Sequence, residues 1–145
     1  MDARYNHRRI DLQKIILSKL QKKILLDHTN DEEPNESCAI LYGNKINEEN
    51  VVKEIWLTEN IESSPIEFTL SPEQNLEMHK KCKELNLEII GIFHSHPKGE
   101  AYPSNTDKKF MQINPYVWVI YSGINKNFRA FILESDSVEI QIEEK

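Results

Sequence analysis

The run LEIIGIFHSH places His94 and His96 one residue apart, and AYPSNTD brings Ser104 and Asp107 soon after. In a β-strand, side chains at i and i+2 point to the same face, about 7 Å apart along the backbone. His94 and His96 can therefore converge on one metal ion, while Ser95 points the other way. Pro97 cannot continue a central strand, so the pair sits at a strand end, where a site can open to solvent. Asp107 is the nearest acidic candidate after the turn, at the start of a short helix that can bring it back over the strand end. Two imidazoles and one carboxylate leave the fourth position of a tetrahedral zinc to water, the ligand count of a catalytic rather than a closed structural site. An HxH pair alone is more often a polar strand end than a metal site. The longer pattern is far more specific: H-S-H-P, six residues, then S-x-x-D, with Glu36 upstream immediately before an apolar run.

Together, Glu36, His94, His96, Ser104 and Asp107 resemble the signature of the JAMM (MPN+) metalloprotease family, an upstream glutamate followed by H-x-H-x7-S-x2-D. PNESCAILYG resembles that family's glutamate strand, EIIGIFHSHP its metal strand and AYPSNTD its serine–aspartate turn, so the likeness runs from about Ile10 to Leu133. The resemblance implies a cytidine-deaminase-like α/β/α sandwich with a mixed β-sheet and one Zn2+ per chain. It implies hydrolysis of peptide or isopeptide bonds after the C-terminal diglycine of a ubiquitin-like (β-grasp) modifier or sulfur-carrier protein, whose conjugates would be the partners. Carried over residue by residue, His94, His96 and Asp107 are the zinc ligands, Glu36 is the general base and later the acid, and Ser104 supports the tetrahedral intermediate. The chemistry of these side chains agrees. Zinc lowers the pKa of bound water to about 7, and a nearby glutamate can carry its proton to the leaving amine. Ala39 stands where family members often have glycine, and the short segment 60–70 resembles the compact prokaryotic members.

The elements that must hold these residues can be read from periodicity. Residues 10–28 carry apolar side chains at close to helical spacing, with lysines on the other face, and are expected to be a helix. TNDEEPNE reads as a polar loop, SCAILYG and VVKEIWLTE as strands, and residues 60–70 as a loop forming one wall of a substrate groove. SPEQ is a capping box that opens a helix through about Asn86. LEIIGIFHSH is a strand, residues 97–104 a loop, and TDKKFMQIN a short helix. YVWVIYSG and NFRAFIL are strands joined by a turn, and VEIQIEEK adds another. This order defines one α/β domain, residues 1–145, with a mixed sheet.

The chain has 145 residues and a formal net charge of −6, which disfavours nucleic acid and anionic membranes as partners. Two cysteines, with no CxxC pair, do not make a disulfide framework and suggest a reducing compartment. No apolar leader stretch opens the sequence and no run reaches membrane-spanning length, so the expected location is the cytoplasm. The oligomeric state is open: the amphipathic first helix could pack on its own sheet or on a partner.

Other residues are read as structural. His7, His28 and His79 lack ligand spacing. Cys38 shares a face with Glu36, but small buried thiols are common. Cys82 has no neighbouring histidine, and Trp56 and Trp118 are core or sheet-face residues. Two other functions stay open: a non-catalytic module that binds ubiquitin-like proteins, and a zinc hydrolase of small amides. A zinc deaminase would need H-x-E with P-C-x-x-C, and neither is present.

Overall fold

Ser18 and Gln21 set the start of the first helix. The Ser18 side chain accepts from the Gln21 backbone N–H at 3.0 Å, and Gln21 Oε1 accepts from Ser18 N–H at 2.8 Å, a reciprocal capping box. The computed structural model describes residues 13–60 and 70–145. Within them α1 runs Lys19–Glu32, and the segment just before it, Lys14–Leu17, is a strand, β1. This corrects the expectation of one helix over residues 10–28. KIIL fits either period, but its three apolar side chains are all buried and its backbone pairs on both sides. Residues 10–12, His7 and the expected groove wall at 61–69 lie outside the described residues. The loop expected at TNDEEPNE is also shortened, because α1 continues to Glu32 and buries Thr29.

The remaining elements follow the sequence reading closely. They are β2 (Cys38–Ile46), β3 (Glu49–Thr58), α2 (Pro72–Leu85), β4 (Glu88–His96), α3 (Asn105–Ile113), β5 (Val117–Ser122), β6 (Asn127–Leu133) and β7 (Ser137–Glu144). Ser71 and Gln74 form the expected capping box of α2, which ends on left-handed Asn86. Ser104 caps α3 in the same way, with Asp107 as its reciprocal partner.

The strands join in the order β1-β3-β2-β4-β5-β6-β7, and β7 returns to pair with β1, so the ladder closes into a barrel. Parallel pairs (β1 with β3 and β7, β4 with β5) mix with antiparallel ones, as expected for a mixed sheet. The sequence expectation contains no closure. It arises from the four residues of β1, which bridge the two strands that would otherwise be edges.

Alternation divides the apolar residues into two cores. Ile15, Leu41, Val52, Phe93, Val119, Ala130 and Ile140 meet inside the barrel with Leu25 of α1. Ile40, Tyr42, Ile92, Trp118 and Ile120 face outward and are covered by Met78 of α2 and Met111 of α3. His94 continues the outward row of Ile92, so it emerges beside the helices rather than inside the barrel. No helix among the described residues is long and apolar enough to cross a membrane.

Candidate active site

β2 and β4 run antiparallel in a register that sets Cys38 opposite His94. This brings Glu36, just before β2, alongside the end of β4. Ser95 locks that arrangement from the opposite face: its Oγ accepts from Ser37 N–H and Ser37 Oγ, both at 2.9 Å, and Ser95 N–H donates to Ser37 O at 3.0 Å. Thr29 of α1 extends the chain to Ser37 Oγ at 3.1 Å. Ser37, Ser95 and Thr29 are fully buried. Asn60 Nδ2 donates to Glu36 O at 2.8 Å, fixing the backbone of Glu36 from a third direction.

The five residues singled out from the sequence are placed as follows. Nε2 of His94 and of His96 lie 3.3 and 3.1 Å from the same oxygen, Asp107 Oδ2. Nδ1 of His94 lies 3.7 Å from Glu36 Oε1, and Glu36 is only 5% exposed. Ser104 meets Asp107 rather than the imidazoles: its Oγ accepts from Asp107 N–H at 3.0 Å, and its own N–H donates to Asp107 Oδ2 at 2.8 Å. Ser104 therefore first acts as a helix cap that orients a carboxylate. Its hydroxyl hydrogen is still available to donate, because an oxygen that accepts one bond keeps its O–H.

The donor atoms of His94, His96 and Asp107 all lie within 4.8 Å of one another. Ligands at about 2.0–2.1 Å around a tetrahedral zinc are separated by about 3.3 Å, which the two nitrogen–oxygen distances match. Two further observations fit a cation. His94 Nε2 is buried and forms no hydrogen bond among the described residues. Nδ1 of His96 is 2.7 Å from the Glu100 carbonyl, which can only accept, so Nδ1 carries a proton. A neutral His96 then aims the Nε2 lone pair at Asp107 Oδ2, two acceptors facing each other unless a proton or a metal lies between. The titration directions describe the same crowding. Burial alone would raise the Asp107 pKa, but contacts with His94 and His96 and the Ser104 N–H outweigh it and hold the carboxyl well below its usual range. Burial alone would lower the His96 pKa, but Asp107 and the Glu100 carbonyl raise it.

A pocket of about 220 Å3 opens beside His94 and Asp107, with Leu70, Ile92, Phe110, Ile113 and Trp118 supplying its apolar lining and Asn75 and Asn114 its polar part. Trp118 meets the His94 ring edge-on, with centroids 5.5 Å apart, and donates Nε1–H to Asn114 O at 3.2 Å. It is a core residue, as read, and also a wall of the site. Cys38 lines the same pocket and is buried, with its thiol pushed up to about 12 mainly by burial. A thiol so protonated is a packing group, not a nucleophile. His28 is a scaffold residue, its Nε2 3.1 Å from both Cys38 O and Thr58 O. His79 is exposed. The sequence reading missed Asn60, the Ser37–Ser95 lock and the Glu100 carbonyl. No sequence pattern marks them: Asn60 and the serine lock depend on the register that folding creates, and the Glu100 carbonyl is a backbone group set by the course of its loop.

A barrel with two helices over its outward face, and an HxH strand end meeting a capped aspartate, define the JAB/MPN class. The family described as prokaryotic homologs of the JAB domain matches residues 19–134, and the chain belongs to it. The chain is 35% identical over 98 residues to a desampylase of Pyrococcus furiosus, a match covering 68% of this chain and 66% of that protein. It is 31% identical over 85 residues to a CysO-cysteine peptidase of Mycobacterium tuberculosis, covering 59% of this chain and 57% of the other. These matches therefore span less than two thirds of either relative's length. Among solved structures, a protein from Desulfitobacterium hafniense superposes with a TM-score of 0.76 at 28% identity, covering 90% of this chain and 94% of that one. A JAB1/MPN domain protein from Archaeoglobus fulgidus superposes with a TM-score of 0.57 at 21% identity, covering 91% and 100%, and shares the fold.

Proposed function

We propose that the chain is a zinc-dependent isopeptidase that cuts after the C-terminal diglycine of a ubiquitin-like modifier or sulfur-carrier protein. The observation that carries this reading is the convergence of His94 and His96 on Asp107 Oδ2 with buried Glu36 alongside. The relatives named desampylase and CysO-cysteine peptidase support the substrate class. His94, His96 and Asp107 would hold one zinc ion. Bound there, zinc polarises a carbonyl and makes water acidic enough to attack at neutral pH.

The protein's own groups do the rest. Glu36 takes the proton of the attacking water and delivers it to the leaving amine, a lysine side chain when the bond is an isopeptide. Burial keeps Glu36 within this exchange and away from competing solvent. Ser104 donates its hydroxyl hydrogen to the oxygen that becomes negative at the tetrahedral carbon. Asp107, fixed by two bonds to Ser104, cannot swing away from the histidines. Glycine offers no side chain to the pocket lined by Phe110, Ile113 and Trp118. That pocket therefore takes an apolar side chain flanking the diglycine. The same reading takes the architecture as a cytidine-deaminase-like sandwich, supported by α2 and α3 over the outward face and α1 against the inner core.

The test is cleavage of a diglycine-ended β-grasp modifier linked to a lysine-containing target, with and without a zinc chelator, in the wild type and Glu36→Gln. Cutting after the second glycine, abolished by the chelator and reduced at least about a hundredfold in Glu36→Gln with zinc still bound, is expected. Full activity in Glu36→Gln would sink the assignment. Equal modifier binding by His94→Ala/His96→Ala, with no cleavage by any form, would make the protein a binding module.

A further inference from the structure

Loop 97–104 separates His96 from Ser104 and Asp107, so the geometry of the metal group depends on how that loop is held. Besides the buried Ala101 and Pro103, three attachments among the described residues hold it. Ser122 Oγ donates to Gly99 O at 2.7 Å. Gly123 passes so close to Pro97 that an added Cβ would lie 2.1 Å from the proline carbonyl oxygen. The third is Tyr102. Its ring packs edge-on against buried Phe131 of β6, with centroids 5.4 Å apart. Its hydroxyl accepts from Ser137 Oγ of β7 at 3.1 Å, and Lys108 of α3 places Nζ 5.3 Å from its ring centre. Lys108 is in turn paired with Asp136 at 3.0 Å.

Tyr102 is 42% exposed, so burial alone does not account for contacts with three separate elements. Its backbone N–H donates to the Glu100 carbonyl at 2.9 Å, and the same carbonyl accepts from His96 Nδ1 at 2.7 Å. The seat of Tyr102 on β6 and β7 is thus two hydrogen bonds from the imidazole that must present Nε2. Partners of metal-binding histidines fix the tautomer and ring orientation, and losing them typically costs about 10–100-fold in metal affinity.

We propose that Tyr102 is a positioning residue for the metal site: its aromatic seat fixes the Glu100 carbonyl and, through it, the orientation of His96. This rests on the zinc reading above. The experiment measures zinc affinity of the metal-free protein by competition with a chromogenic chelator, with the visible spectrum of the cobalt(II) form as a second readout. Wild type is measured first. If it binds neither zinc nor cobalt, the zinc reading fails and this proposal with it. If it binds but Tyr102→Ala is normal, only the proposal fails.

Tyr102→Ala is expected to bind zinc about 10–100-fold more weakly and to shift the cobalt spectrum. Tyr102→Phe keeps the ring on Phe131 and is expected to restore wild-type affinity. Leu25→Ala, in the inner core, controls for general loss of stability and should leave zinc affinity unchanged. Wild-type affinity in Tyr102→Ala overturns the proposal, as does an equal loss in Leu25→Ala. Tyr102→Leu stands in if the alanine variant does not fold. Should neither fold, Tyr102 belongs to the scaffold and the proposal is overturned.

Discussion

Tyr42 lies at the opposite end of the β2–β4 ladder from His94 and shows what a single buried polar side chain contributes here. It is fully buried and donates to Met78 O at 2.8 Å, joining the outward face of β2 to α2. Burial, with smaller effects from Cys82, Glu77 and Glu84, raises its pKa above the ordinary phenol value. Above about pH 10 the unfolded chain releases this proton while the folded protein keeps it, so stability falls as pH rises through that range. Tyr42→Phe should lose about 0.5–1.5 kcal/mol at pH 7 through the missing hydrogen bond and show a shallower decline above pH 10 by urea denaturation. An equally steep decline in the variant would assign the alkaline sensitivity to other groups, such as Tyr116 and Tyr121, which are also raised by burial. Residues of this kind separate what sequence conveys from what it does not. His94 and His96 were legible because a strand repeats every two residues. Asn60 was not, because its bond to Glu36 O crosses 24 positions and depends on where β3 ends.

At the scale of elements, the join between β2 and β4 sets the position of Glu36 relative to the histidines. Ser95→Ala would leave the buried Ser37 N–H without its acceptor, at a cost of about 1–3 kcal/mol. It would also release the strand end that carries Glu36. The expected result is a lower denaturation midpoint with kcat reduced more than KM is raised, while zinc affinity stays near that of the wild type. Unchanged kcat at reduced stability would show the serine pair to be structural only. Helix α2 was legible for a local reason, because SPEQ announces it through its own cap; SNTD caps α3 in the same way, a signal the sequence reading left unused. The signal at Ser18–Gln21 is of the same type and marks the true start of α1. The apolar spacing that continues through KIIL overrode it, because four residues are too few to distinguish a strand from a helical turn.

For the whole molecule, a metal held by His94, His96 and Asp107 would tie the end of β4 to the first turn of α3. A ligand held by the folded protein alone stabilises it by about 2.7 kcal/mol at a concentration one hundred times its Kd. For a domain of this size that corresponds to a melting point about 5–10 °C higher. Zinc-loaded protein should therefore melt at a higher temperature than chelator-treated protein, and the difference should vanish in His94→Ala/His96→Ala. An equal rise in that double variant would place the stabilising ion elsewhere. The mixed α/β class could be read from the sequence, but the ring of strands could not, since closure depends on β1 and β7 meeting across almost the entire chain.

That meeting has a kinetic side. The side chain of Lys14 reaches Glu143, 129 positions later, and the Lys145 N–H donates to Leu17 O. Loops of such length are costly to close before other contacts have formed. The hairpins β2–β3, β5–β6 and β6–β7 close over short connections and can assemble early, whereas the β1–β7 seam needs the longest closure. Because the histidines lie on the strand farthest from that seam, an opening there would leave the ladder that carries His94 and His96 intact.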